Sequence, residues 1–220
     1  MAVSYVGVSN LIATNGGQPG AITANASTQV GDLLVFYHFS RVTGGNETVT
    51  VPTGFTTVLN TLSVNFGLIA VAYKQRASGD TTYTATITNH TSGTSGETVL
   101  EFIETYRGQD STTPIGNGAT YSQFPSSLIL GEDPDFIVAP TTSTVEPGDM
   151  AVVFAGRYEN ITAQTTLTGD NLTWTARTRN DTTAGSDAGC VTQNGLNGTS
   201  TNQTITGKSI TTTGTAQANG

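Results

Sequence analysis

Cysteine is almost missing from this chain: Cys190 is the only one in 220 residues. No intrachain disulfide can form, which suits folding in a reducing compartment. Charge is sparse too, at 11% of residues, against about a quarter in an ordinary soluble domain. The 8 basic residues are scattered. They form no stripe able to neutralise a phosphate backbone, which sets nucleic-acid binding aside. Histidine is limited to His38 and His90, in neither an HxH nor an HxxxH pattern. No apolar run approaches the roughly 20 residues that span a bilayer as a helix. Heptads are absent, which excludes a coiled-coil shaft. Met1 to Val6 lacks a basic stretch followed by an apolar one, so Sec export is not expected.

What the chain has is threonine, serine, asparagine and 26 glycines, with 35% hydrophobic residues and a net charge of -8. Thr favours strands, while Asn and Gly favour turns. Apolar runs recur along most of the length, which argues against disorder. The strongest is Asp32 to Ser40, entered from the Gly31-Asp32 turn. Its looser counterpart is Met150 to Gly156, entered from Gly148-Asp149. Each run lasts about eight residues, which favours a buried strand over a helix. Further strands are expected over Val3–Ile12, Thr48–Val51, Asn65–Arg76, Thr81–Thr88, Phe136–Pro140 and Leu172–Thr178. Glu97–Tyr106 has propensities that permit a helix, and its β-rich context favours a strand. Irregular chain is expected over Tyr121–Asp135, and beyond Asn180 only weak strands, such as Cys190–Thr192.

The fold class expected is all-β: an antiparallel β-sandwich, jelly-roll or Ig-like, with long polar loops. No Pro/Ser-rich linker appears, so residues 1–216 are read as one domain. The repeated Gly-Asp turns allow two related halves, 1–118 and 119–216, with 217–220 a loose tail.

Few residues carry a chemical signal. His38 lies inside the central strand and reads as a hydrogen-bonded core histidine rather than a metal ligand. Gly131-Glu132-Asp133-Pro134-Asp135 clusters three carboxylates without the alternating ligands of a calcium loop, and reads as an acidic turn. No Gly-x-Ser-x-Gly elbow frames a nucleophile, and Cys190 has no basic neighbour in sequence. Tyr73, Tyr83, Tyr106, Tyr121 and Trp174 offer either a sugar-binding platform or core packing, and their apolar strands favour the core. The Asn-x-Thr triplets, such as Asn46 and Asn197, are expected from composition alone. No catalytic residue, cofactor or metal is expected.

Several phrases, in order, carry a resemblance. They are Val30-Gly31-Asp32-Leu33-Leu34-Val35, then Pro52-Thr53-Gly54-Phe55, then Leu68 to Lys74, then Ser78 to Thr84, and last Tyr106-Arg107-Gly108-Gln109-Asp110 through Pro114-Ile115. Together they resemble a family of phage and prophage virion proteins with a β-sandwich fold. The likeness covers about residues 28 to 116, and 140 to 178 more loosely. Phe55 stands where that family often has Trp. The resemblance implies a non-enzymatic structural protein, made in the host cytoplasm and located in the virion. Its size and missing shaft favour a capsid decoration (cement) protein that binds the major capsid protein and itself, as a homotrimer, with no nucleic-acid or membrane partner. A tail- or fibre-associated glycan-binding module is the alternative, and a glycan-active enzyme a third. Candidate partner contacts are the loop residues Gly44, Asn46, Arg107, Gln109, Asp110 and Pro114.

Overall fold

The computed structural model describes residues 2–15, 17–40, 47–63, 67–89, 98–115, 120–123, 136–140, 142–157, 160–180, 188–206, 210 and 212–215. Every regular element among them is a strand, and the paired strands run antiparallel. The chain divides into two compact units at Arg107–Gly108, beside the two related halves, 1–118 and 119–216, that the sequence reading allowed within one domain. The N-terminal unit is Tyr5–Arg107. The C-terminal unit takes Gly108–Asn180, Ala188–Gly220 and the first residues up to Ser4. A lone glycine with φ of +94° marks the division, so a search for a polar linker could not find it.

The strands of the N-terminal unit are β1 (Ser4–Val8), β2 (Ile12–Asn15), β3 (Ile22–Thr23), β4 (Leu33–Ser40), β5 (Thr48–Thr50), β6 (Thr56–Ser63), β7 (Gly67–Gln75), β8 (Thr82–Tyr83), β9 (Thr86–Thr88) and β10 (Thr98–Arg107). Its main sheet has the order β1-β10-β4-β7-β6, with β2 also on β10. β4 is buried along its whole length because it has a neighbour on each side and is apolar on both faces. The ambiguous Glu97–Tyr106 segment becomes β10, since eight of its residues find partners on β4 and tertiary pairing overrides local propensity. Two short pairs, β3-β8 and β5-β9, close the unit in a sandwich-like arrangement. Their alternation is clean: Ile22, Val49, Tyr83 and Ile87 are buried, whereas Thr48, Thr50, Thr82, Thr86 and Thr88 are exposed. The core between the layers holds Leu34, Phe36, Leu68, Val99 and Ile103 with those residues and Phe55. Phe55 meets Phe36 edge-on at 6.2 Å and Tyr83 at 5.4 Å.

The C-terminal unit has β11 (Thr120–Gln123), β12 (Phe136–Pro140), β13 (Thr142–Val145), β14 (Met150–Arg157), β15 (Asn160–Gln164), β16 (Thr173–Asn180), β17 (Gly189–Leu196), β18 (Gln203–Thr206) and β19 (Thr212–Thr215). Its main sheet is β11-β12-β14-β17-β16, with the pairs β13-β18 and β15-β19 beside it. β11 lies where irregular chain was expected, and 124–135 lies outside the described residues. The weak strand expected near Cys190 is instead the full strand β17, paired on both sides. It can be buried despite its polar sequence because its amides are satisfied. Gln193 donates to Thr165 O at 2.6 Å and accepts from Leu167 N at 2.7 Å.

The two units repeat one another. β3 to β9 correspond in order and in pairing to β13 to β19. The turns into the central strands match bond for bond. Gly31 N donates to Arg76 O, Asp32 N to Gln29 O and Arg76 N to Asp32 O. In the other unit Gly148 N donates to Asn197 O, Asp149 N to Glu146 O and Asn197 N to Asp149 O. Gly31 and Gly148 have φ of +90° and +88°, a region that L side chains avoid, which is why glycine stands at both places.

Candidate functional site

Four of the six candidate contact residues can be placed; Gly44 and Asn46 lie outside the described residues. Arg107 ends β10 and turns its guanidinium fork onto Asp32. Its Nε lies 2.7 Å from Oδ1 and a terminal nitrogen lies 2.8 Å from Oδ2. That same nitrogen donates to Ser27 O at 3.0 Å. The Arg107 side chain is 39% exposed and that of Asp32 only 4%. Burial pushes the Asp32 carboxyl up, and the bonds from Arg107 and the Gln29 amide, with the charges of Arg107 and Arg76, pull it below the usual range. Arg107 therefore braces the turn into β4, with both prongs of its fork engaged. Gln109 and Pro114 are half-buried. Asp110 is exposed, but Oδ1 accepts from the backbone of Thr112 and Thr113 at 2.7 Å each, closing a local turn. Those backbone bonds hold its carboxyl below the ordinary value. At the end of this segment the apolar side chain of Ile115 is 40% exposed.

Sequence reasoning missed the main polar cluster. His38 Nδ1 lies 2.7 Å from Glu101 Oε1, and its Nε2 lies 2.9 Å from Ser40 Oγ. All three side chains are fully buried. His38 and Glu101 face each other across β4 and β10, so the strand register creates the pair from positions 63 apart in sequence. Only the burial and hydrogen bonding of His38 were legible beforehand. The order serine–histidine–carboxylate is that of a nucleophile, a base and an orienting acid. Here the register turns it toward the core layer that holds Phe36, Val99 and Ile103. On the other face of β10, Tyr106 Oη donates to Glu104 Oε2 at 2.6 Å, both buried. Burial, then the Glu104 charge, pushes that phenol well up.

The aromatic candidates divide without forming a platform. Tyr83 and Tyr106 are buried, Tyr73 and Trp174 half-buried, and the side chain of Tyr121 is outside the described residues. Trp174 packs against both cores of its unit, the one that holds Val153 and the one that holds Leu172. Lys74 pairs with Asp80 at 2.8 Å and lies 5.8 Å above the Tyr83 ring. Cys190 is fully buried, and burial pushes its thiol up. Among the described residues no three His, Cys, Asp or Glu side chains gather closely enough to hold a metal ion. The acidic turn at 131–135 lies outside them.

The fold and these sites define a class: an all-β chain of two repeated antiparallel units, with Ser40, His38, Glu101 and Cys190 buried. No family model, curated protein or solved structure matches it.

Proposed function

We propose that this chain is a non-enzymatic phage virion protein that decorates the outer shell of a capsid and stabilises it. The observation that carries this reading is the placement of its reactive groups. Ser40, His38, Glu101 and Cys190 serve the interior, while the exposed faces of the short strand pairs carry threonine hydroxyls. Such a surface suits adhesion better than turnover. The strand order β1-β10-β4-β7, with β3-β8 as a separate pair, supports a jelly-roll reading, an architecture used by viral capsid domains. The ordered motifs from Val30 to Ile115 add the family resemblance. The mechanism would be mechanical. A protein that binds only the assembled shell adds contacts that internal pressure must break, and so stabilises it by mass action.

The test is the stoichiometry of this chain against the major capsid protein in purified virions, by quantitative mass spectrometry. Decoration by a trimer at each three-fold position predicts one copy per capsid subunit, and by a single chain there one copy per three subunits. A handful of copies per particle would move the reading to the tail. The Ser40–His38–Glu101 geometry favours an acyl-transfer enzyme as a second reading. Labelling of Ser40 in the folded protein by a fluorophosphonate would support that alternative.

A further inference from the structure

The duplicated turns close in the same way, but with different side chains. Asn197 follows β17 as Arg76 follows β7, and each exchanges backbone bonds with its Gly-Asp turn. Arg76 donates from a terminal nitrogen to Thr28 O and from Nε to Asp80 O at 3.1 Å. Asn197 Nδ2 donates to Val145 O at 2.8 Å and to Thr201 O at 3.0 Å. These are matching carbonyls: Thr28 precedes Asp32 as Val145 precedes Asp149, and Asp80 follows Arg76 as Thr201 follows Asn197. Asn197 Oδ1 also accepts from Thr199 N at 3.0 Å and from Thr199 Oγ1 at 2.7 Å. The residue is fully buried. Both turns use a side-chain donor at this point, and the C-terminal unit supplies it with a carboxamide. The next residue differs too, Ala77 in one unit and Gly198 in the other. Gly198 is exposed, its φ lies outside the left-handed region, and a Cβ there would meet nothing within 4 Å. The fold does not demand glycine at that place.

A glycine after asparagine leaves its amide nitrogen unhindered and free to attack the carboxamide. We propose that Asn197-Gly198 is a deamidation site gated by the fold, and that its reaction makes opening of the C-terminal turn irreversible. Gly198 N bonds to Asn197 Cγ, the Cγ–Nδ2 bond breaks, and ammonia leaves with the proton of the glycine amide. Water then opens the resulting cyclic imide at either carbonyl, giving aspartate or isoaspartate. In the folded chain four hydrogen bonds hold the carboxamide, and the attack needs it to rotate. The turn must therefore open first. Once converted, the side chain sets a carboxylate against Val145 O and Thr201 O, where two bonds had been donated. Isoaspartate also lengthens the backbone by one carbon. A chain that has opened and reacted cannot close this clasp again. The N-terminal turn, held by Arg76 and followed by Ala77, has no such reaction open to it. This inference rests on the duplicated turns and holds whether or not the chain decorates a capsid.

The test ages the full chain at mildly alkaline pH, once folded and once in urea, and follows Asn197 by peptide mapping. Conversion to aspartate and isoaspartate is expected to be at least about tenfold slower in the folded chain. Gly198→Ala should fold normally and, in urea, convert at least about tenfold more slowly than the parent. After ageing in urea, the share of chains that refold should fall as Asn197 converts, and Gly198→Ala should preserve it. That variant keeps Asn15, Asn117, Asn194 and Asn219, the other asparagines that precede glycine, so any loss they cause appears in both proteins. Asn197→Asp, the product of the reaction, should lower the urea midpoint. Three results would overturn the proposal: equal conversion of the folded and unfolded chain, a refolding loss that Gly198→Ala does not reduce, or an Asn197→Asp variant as stable as the parent.

Discussion

At the scale of single residues, the buried polar set in the N-terminal unit is where stability is most sensitive. Ser40, His38 and Glu101 are bonded to one another, and the second oxygen of Glu101, Oε2, has no partner among the described residues. Removing one member leaves another uncompensated inside the core. Glu101→Ala or His38→Ala should therefore cost about 3–5 kcal/mol. Replacing the set together, with Ser40→Ala, His38→Leu and Glu101→Leu, removes the desolvation cost along with the bonds, and should destabilise less than either single change. Urea unfolding of the four proteins decides it. If the triple variant loses the sum of the single losses, the three side chains do not act as a unit. Cys190 gives a simpler test. A fully buried thiol whose ionisation is suppressed should resist a disulfide reagent in the native chain and react fully in denaturant. Rapid native labelling would place it at the surface.

At the scale of elements, Gly195 and Trp174 show one strand shaping another. They are cross-strand partners on β17 and β16. A Cβ built on Gly195 would come within 2.8 Å of the indole ring, so the glycine makes room for the chain's only tryptophan. Gly195→Ala must push the ring off the core it shares with Val153 and Leu172, at a cost of about 1–3 kcal/mol. The fluorescence of Trp174 should shift to longer wavelength in the native variant, and unchanged emission would reject the packing argument. Elements of this kind separate what could be read in advance from what could not. The central strands were legible because an apolar run after a Gly-Asp turn has one physical solution, a strand buried on both faces. β17 was not, since Gln193 looks like a loop residue until its amide is matched with Thr165 and Leu167. Arg107 looked like a free loop cation for the same reason: Asp32 lies 75 positions away. Pairings at that distance are fixed by strand register, which local pattern does not encode.

At the scale of the molecule, the response to pH follows from 16 acidic against 8 basic residues and from which of them are bonded. Protonating ordinary surface carboxylates relieves a net charge of -8. That repulsion is weak here, because sparse charges on a large chain are screened within about 8 Å at physiological salt. Asp32, Asp80 and Asp110 oppose it. Asp80 is drawn down first by its hydrogen bond from Lys74, and Asp110 by backbone amides. A carboxyl held lower in the folded state contributes stability above its unfolded value of about 3.9 and loses it as pH falls further. At the other limit Tyr83 is pushed up to about 12, by burial first and then by the charge of Asp80. A phenol raised in the folded state contributes stability below about 10 and loses it as pH climbs toward its folded value. The urea midpoint should therefore hold a plateau, falling below about pH 4 and again above about pH 10. Asp32→Asn should lower the plateau, because it breaks the Arg107 fork, and make the acid limb shallower. Tyr83→Phe should soften the alkaline limb without abolishing it, since Tyr106 is raised as well. A midpoint that kept rising down to about pH 2 would mean that relief of the net charge outweighs these bonded carboxylates.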